Sequence, residues 1–384
     1  MQLTKTAFGM WSGGRFMHFG EPLPDERFIA LIRLAHEKGI RTFLTADVYG
    51  TGDADTLLGR ALDGIPRDSY CLVGAIGHDF YHGERDGSKG FPRFTSPALR
   101  KPSEYASYLR SAAEKSLARC RADHFDLLLL HNPDATGYAS DAVWKGMDKL
   151  KDAGLTDQLG IAPGPANGFT LDLILSLERF QGLIDWAMII LNPLEPWPGR
   201  LCLPAAEKTG TRIVTRVVDH GGLFHDDVKP GHQFAPRDHR GFRPAGWVDA
   251  GAEKIERMRG IADRHCLTML QLACIWNLQQ IPVQSVVPTL IQEPGPGARR
   301  IEAKVEELAS LPEITLTLDE CRQITEIGDN TNCMSLKGGS AGYSGEPLPD
   351  RWSLNAELKA TGDRWQIDPV RDLANAMEAG EAVK

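Results

Sequence analysis

Seven short apolar runs recur along the chain, separated by longer amphipathic stretches, and this rhythm constrains the fold more than any other feature. The runs occupy residues 41–46 (RTFLTA), 70–76 (YCLVGAI), 125–131 (FDLLLLH), 158–162 (QLGIA), 186–191 (WAMIIL), 212–218 (RIVTRVV) and 283–288 (VQSVVP). They are rich in Val, Ile and Leu without strict polar alternation, which is the pattern of strands buried on both faces of a parallel sheet. A run at 6–11 (TAFGMW) is a candidate eighth strand.

Helical periodicity fills the gaps. It covers residues 26–38, which start after Pro22-Leu23-Pro24-Asp25 and stop at Gly39, so breakers precede the helix and a capping glycine follows it. Further stretches cover 102–122, 142–153, 171–180, 252–264, 269–278 and 299–308. Eight strands separated by helices predict an α/β fold, a closed (β/α)8 TIM barrel with right-handed crossovers. An open doubly wound sheet is the weaker alternative, because no G-x-G-x-x-G turn follows any strand. Residues 77–99 and 219–246 exceed ordinary connections, and both leave C-terminal strand ends, the face where such barrels do chemistry. The barrel is expected over residues 1–330. Residues 331–384 are expected as an extension draped on it and ending in disorder.

Composition narrows the function. The formal net charge of −8 argues against non-specific nucleic-acid binding. No apolar stretch reaches 18 residues and the first residues lack a signal core, so no membrane partner is expected. The seven cysteines form no ligand cluster and read as reduced thiols of a cytoplasmic protein. The partner expected is a small-molecule substrate, with oligomeric state left open.

Several strings resemble the aldo-keto reductases. Residues 39–50 (GIRTFLTADVYG), followed by 57–62 (LLGRAL), resemble that family's second-strand signature. Residues 114–117 (EKSL) with 125–134 (FDLLLLHNPD) resemble its fourth-strand signature. Residues 272–276 (LACIW) and 300–302 (RIE) resemble the segments flanking the eighth strand. The resemblance implies a barrel that uses NADP or NAD to move hydride to or from a carbonyl. In the family a Tyr protonates the carbonyl oxygen, a Lys held by an Asp lowers that Tyr's pKa, and a His orients the substrate.

Carried over, the Tyr falls on Tyr49 and the His on His131. The Asp falls on Leu44 and the Lys on Ala75, so both members of a buried ion pair are replaced together and neither charge is stranded. At the nicotinamide end the family's Ser-Asn falls on Ala162-Pro163 and its Gln near Met188. The ring-stacking position falls on Arg216, and Arg299 and Arg300 fall where the family meets the adenosine phosphate. Cofactor contacts are therefore expected at Arg216, Arg299 and Arg300.

Substrate contacts are expected at Trp11, Asp47, His78, Asp219 and His220. His78 or Asp79 follows the lost Lys and is a candidate to supply its polarisation. Residues 219–227 (DHGGLFHDD) are dense in titratable groups. His220, His225, His232 and His239 match no zinc spacing, so no metal is expected. The sequence supports hydride transfer on a polar carbonyl or alcohol, such as a sugar derivative, at a site without the usual Lys and Asp. The alternative is a non-redox lyase, isomerase or hydrolase built on His131, Tyr49 and the 219–227 loop.

Overall fold

The structure is a computed structural model that describes residues 2–87, 90–164, 169–235, 237–243, 245–330 and 354–373. Its eight strands are β1 (Ala7–Gly9), β2 (Thr42–Leu44), β3 (Cys71–Ile76), β4 (Phe125–His131), β5 (Thr156–Ala162), β6 (Trp186–Ile190), β7 (Arg212–Arg216) and β8 (Val283–Val287). Strands adjacent in sequence are adjacent in the sheet, and every pair is parallel. Thr6 bridges Val286 in parallel, which joins the first strand to the last and completes a (β/α)8 TIM barrel.

The helices between and after the strands are α1 (Asp25–Glu37), α2 (Asp53–Leu62), α3 (Tyr105–Cys120), α4 (Ala135–Ala139), α5 (Asp141–Asp152), α6 (Thr170–Arg179) and α7 (Leu203–Thr209). They continue with α8 (Trp247–Arg264), α9 (Met269–Leu278), α10 (Ile301–Ala309), α11 (Leu318–Gly328), α12 (Ala356–Trp365) and α13 (Pro369–Asp372). α2, α4, α7, α11, α12 and α13 lie outside the stretches that show helical periodicity in the sequence.

The core has two shells, and strand alternation explains both. Leu128, Leu130, Leu72 and Ile76 point outward and pack beneath the helices. Leu127, Leu129, Val73, Trp186 and Val214 point inward and fill the cylinder. Two residues beyond these inward positions the same alternation aims Ala75, His131, Met188 and Arg216 at the C-terminal rim. This is how a strand period of two delivers chemistry to one end of a packed barrel.

The long connections fold over that rim. In residues 77–99, His78 bridges Arg93 in antiparallel fashion and Asp86 bridges Gly90. Gly77 lets the loop leave β3, since a Cβ there would lie 2.6 Å from the His131 carbonyl oxygen. In residues 219–246, the fully buried Arg240 pairs with Asp238 at 2.7 Å and with Glu293 at 2.9 Å, pinning the loop to the segment after β8.

Of the tail, α12 and α13 are described. Trp365 donates its indole N–H to Glu178 on α6 at 3.1 Å, and Trp197 donates to the Asp372 carbonyl at 2.6 Å. Trp352, a candidate to close over the pocket, lies outside the described residues. Cys71, Cys120, Cys202, Cys266, Cys274 and Cys321 are free thiols, and Cys333 lies outside the described residues. Among the described residues no helix is long and apolar enough to cross a membrane.

Candidate active site

A cavity of about 390 Å³ opens at the C-terminal rim. Trp11, Phe16, Phe19, Phe91, Met188 and Ile291 give it apolar walls, while Tyr49, His78, His131, Asn132, Arg216 and Arg243 bring polar groups. Few polar groups in a largely apolar cleft is the usual make-up of a small-molecule site.

Tyr49 begins a helical turn just past β2 and is half-buried. Its ring meets Trp11 at 6.4 Å between centroids and His131 at 5.7 Å, both edge-on. Gly9 makes room for the Trp11 indole, because a Cβ there would fall 2.5 Å from it. Withdrawal from water pushes the Tyr49 phenol up to about 12, against the pull of the Arg216 guanidinium.

His131 ends β4, and His78 lies 5.2 Å from it, ring to ring. Burial holds His131 well below the usual imidazole range, and His78, Arg93 and Arg216 push it the same way. His78 is lowered to about 3, by burial first and Arg93 second. Both imidazoles are therefore neutral at physiological pH. They differ in what holds them. His78 Nδ1 lies 3.3 Å from the Phe91 carbonyl, and its Nε2 lies 3.2 Å from the Asn132 amide. One neutral tautomer satisfies both contacts. His131 Nδ1 is buried without a hydrogen-bond partner. His131 is thus the imidazole left free for chemistry, and His78 is the one held in place.

The other expected residues fall as follows. Trp11, His78, Asp219 and Arg216 line the cavity with Tyr49 and His131. The Asp219 carboxylate is occupied by the backbone, accepting from Thr289 N at 2.7 Å and Gly222 N at 3.1 Å. Asp47 is fully buried and is not among the cavity-lining residues, and neither of its oxygens has a partner. His220 is buried behind the lining, its Nδ1 3.8 Å from Glu195. Asp79 turns its own loop, accepting from Tyr81 N and His82 N, and pairs with Arg100. Arg299 is drawn to Glu307 and the His225 carbonyl, and Arg300 is exposed at the start of α10 beside Glu302.

Sequence reasoning missed Asn132 and the wall made by Phe16, Phe19 and Phe91. Asn132 directly follows β4 in the FDLLLLHN string, so its position at the rim was legible. The others arrive on loops and had no signal. Leu44 and Ala75 face the cylinder interior, 1% and 4% exposed, within one apolar cluster.

The model of the Aldo/keto reductase family matches residues 6–329. The chain belongs to the aldo/keto reductase family. It is an NAD(P)-dependent oxidoreductase of that family. A probable aldo-keto reductase 1 from Glycine max is 26% identical over 337 residues, covering 85% of this chain and 87% of that protein. A D-threo-aldose 1-dehydrogenase from a Pseudomonas species is 25% identical over 279 residues, covering 69% and 79%. Among solved structures, a glycerol dehydrogenase from Gluconobacter oxydans superposes with a TM-score of 0.66 at 22% identity, covering 85% and 92%. A Klebsiella pneumoniae aldo-keto reductase in complex with NADPH gives 0.55 at 18% identity, covering 87% and 95%.

The residues of this aldo/keto reductase fit a dinucleotide in their charge. Arg216 and Arg243 line the cavity, and among the described residues neither pairs with a carboxylate. Arg243 stacks on Trp247 at 4.2 Å and donates to the His220 carbonyl at 3.3 Å. Guanidinium groups facing the cavity suit the anionic diphosphate of such a cofactor.

Proposed function

We propose that this protein interconverts a carbonyl and a carbinol on a small hydroxylated molecule of the sugar or polyol type, with Tyr49 and His131 handling the proton. The observation that carries the reading is their edge-on contact at 5.7 Å on the cavity floor. Two relatives named for aldose and glycerol dehydrogenation support the substrate class. Bound NAD(P) supplies or accepts the hydride, and the other roles fall to the chain itself.

The Tyr49 O–H gives its proton to a carbonyl oxygen during reduction and takes it back during oxidation. His131, neutral and free, accepts or donates a hydrogen bond to the same oxygen and fixes its place. Trp11, Phe19 and Ile291 exclude water and offer flat apolar faces to a carbon skeleton. Arg216 and Arg243 meet the anionic cofactor, with Arg299 and Arg300 toward its adenosine end.

Fluorescence titration with NADPH and NADH, followed by a panel of sugars, polyols and their carbonyl forms, tests this reading. Saturable cofactor binding with turnover on hydroxylated substrates is expected. Absence of binding at millimolar cofactor would remove it.

A further inference from the structure

The inward-facing layer at the top of the barrel contains Ala75, His131, Ala162, Met188 and Arg216. At neutral pH only one of these carries charge. The neighbouring positions 44 and 75 bring a leucine and an alanine, so neither a carboxylate nor an ammonium enters from β2 or β3. Arg216 comes from β7 and shares the cavity with Tyr49. Its Nη2 donates to the Pro163 carbonyl at 3.0 Å, while its Nε is buried with no partner. The guanidinium is therefore fixed at one end by a neutral acceptor, and its charge is felt by the Tyr49 phenol and by the buried Glu195 carboxylate.

We propose that Arg216 is the counter-charge of Tyr49, doing from the seventh strand what an ammonium on the third strand would otherwise do. The inference rests on the carbonyl–carbinol reading given above. In reduction the hydride adds to the carbonyl carbon and the phenol proton passes to the carbonyl oxygen. Tyr49 is left as phenolate and is later reprotonated from water. A fixed cation stabilises that phenolate in a way it does not stabilise the neutral phenol, so it lowers the barrier selectively. Arg216 does not exchange protons itself, because a guanidinium stays charged. It acts through Tyr49 and is a positioning residue.

Among the described residues, the buried Glu195 carboxylate acts on Arg216 and Arg243. His131 and His78 are neutral. The Asp219 carboxylate is committed to Thr289 N and Gly222 N. Arg243 lies on the Trp247 ring, and Arg85 is exposed at the mouth. Arg216 is the one charge that pulls against the effect of burial on Tyr49.

Replacing Tyr49 with 3,5-difluorotyrosine gives the phenol a fluorine signal that ionises at a lower pH and can be titrated without cofactor or substrate. Arg216→Gln is expected to move the midpoint up by about one pH unit, a tenfold change in phenol acidity, while Arg216→Lys keeps most of the native value. Arg216→Met, which retains the stem's packing, is the second variant in case the amide does not fold. NADPH affinity is measured on the same variants. An unchanged midpoint in Arg216→Gln and Arg216→Met, whatever happens to cofactor affinity, would overturn the proposal and leave Arg216 as a cofactor contact alone. A shifted midpoint in a protein that turns over no carbonyl would instead defeat the carbonyl–carbinol reading and leave the counter-charge standing.

Discussion

The imidazole of His131 stands edge-on to the phenol of Tyr49, with centroids 5.7 Å apart and planes at 89°. They come from different strands, His131 at the end of β4 and Tyr49 just past β2, and only barrel closure brings them together. The contact predicts different effects for the two side chains. Tyr49→Phe removes the proton donor and should lower kcat by about 10²–10⁴, the range for general acid–base groups, with NADPH affinity unchanged. His131→Gln keeps a hydrogen-bonding group and should act more on KM than on kcat. Equal losses in kcat for both variants would mean that His131 itself transfers the proton.

Asp47 gives a stability prediction. Both carboxylate oxygens are buried without partners, and burial, aided by Asp55, raises its pKa well above the ordinary value. A carboxyl group raised in the folded state contributes stability at low pH. That stability is lost as pH rises from the unfolded value through the folded one, at about 1.4 kcal/mol per unit of separation. Asp47→Asn removes the ionisation. Its urea midpoint should exceed the parent's at pH 8, and the gap should close toward pH 4. A gap independent of pH would show that Asp47 does not titrate anomalously.

The barrel was largely legible because its strongest signals are local. Four consecutive leucines at 127–130 read as a strand, and the observed β4 has the expected bounds. Helix α7 has seven residues, two turns, too short for a helical period to stand out from turns. Helix α11 had a usable signal that was passed over. Thr317 and Glu320 form a capping box, with Glu320 N donating to the Thr317 hydroxyl at 3.1 Å. In the site, Tyr49 and His131 stood out because each lies at or just past a strand end within a recognisable string. Asp47 lies two residues from Tyr49 yet is not among the cavity-lining residues, since its carboxylate is enclosed near Tyr81 and Tyr108. Where Arg243 sits in the site depends on how residues 219–246 fold back over the rim, which local sequence does not fix.

His225 tests the acid side of stability. Burial holds it well below the ordinary imidazole value, with Lys304, Arg299 and Arg240 adding to the effect, while its Nε2 lies 2.9 Å from the Thr289 carbonyl. The unfolded chain therefore protonates His225 first. Below about pH 6.5 each unit of acidification costs the folded state up to about 1.4 kcal/mol through this one group. His225→Gln should flatten the fall of the urea midpoint between pH 6.5 and 5 by that amount. The same slope in both proteins would refute the assignment.

Leu44 and Ala75 give the sharpest test of the expectation that the site works without a Lys–Asp pair. Leu44 pairs with Val73 in register, and Ala75 lies two residues further along the same inward face, so both substitutions meet inside the cylinder. Ala75→Lys alone buries a second cation near Arg216. Leu44→Asp alone buries a carboxylate among apolar neighbours. Each single change should cost about 3–5 kcal/mol, as an unpaired buried charge does, whereas the double variant should recover much of that loss. With the ammonium beside Tyr49 the phenol becomes a stronger acid, so reduction of simple aldehydes should rise at least about tenfold, equivalent to a 1.4 kcal/mol lower barrier. The comparison requires thermal unfolding of all four proteins and steady-state rates with NADPH. A stable double variant that binds NADPH but gains no aldehyde turnover would show that Tyr49 acidity is not the limiting feature. The limit would then be sought at Ala162 and Met188, the positions where the sequence resemblance places the nicotinamide contacts.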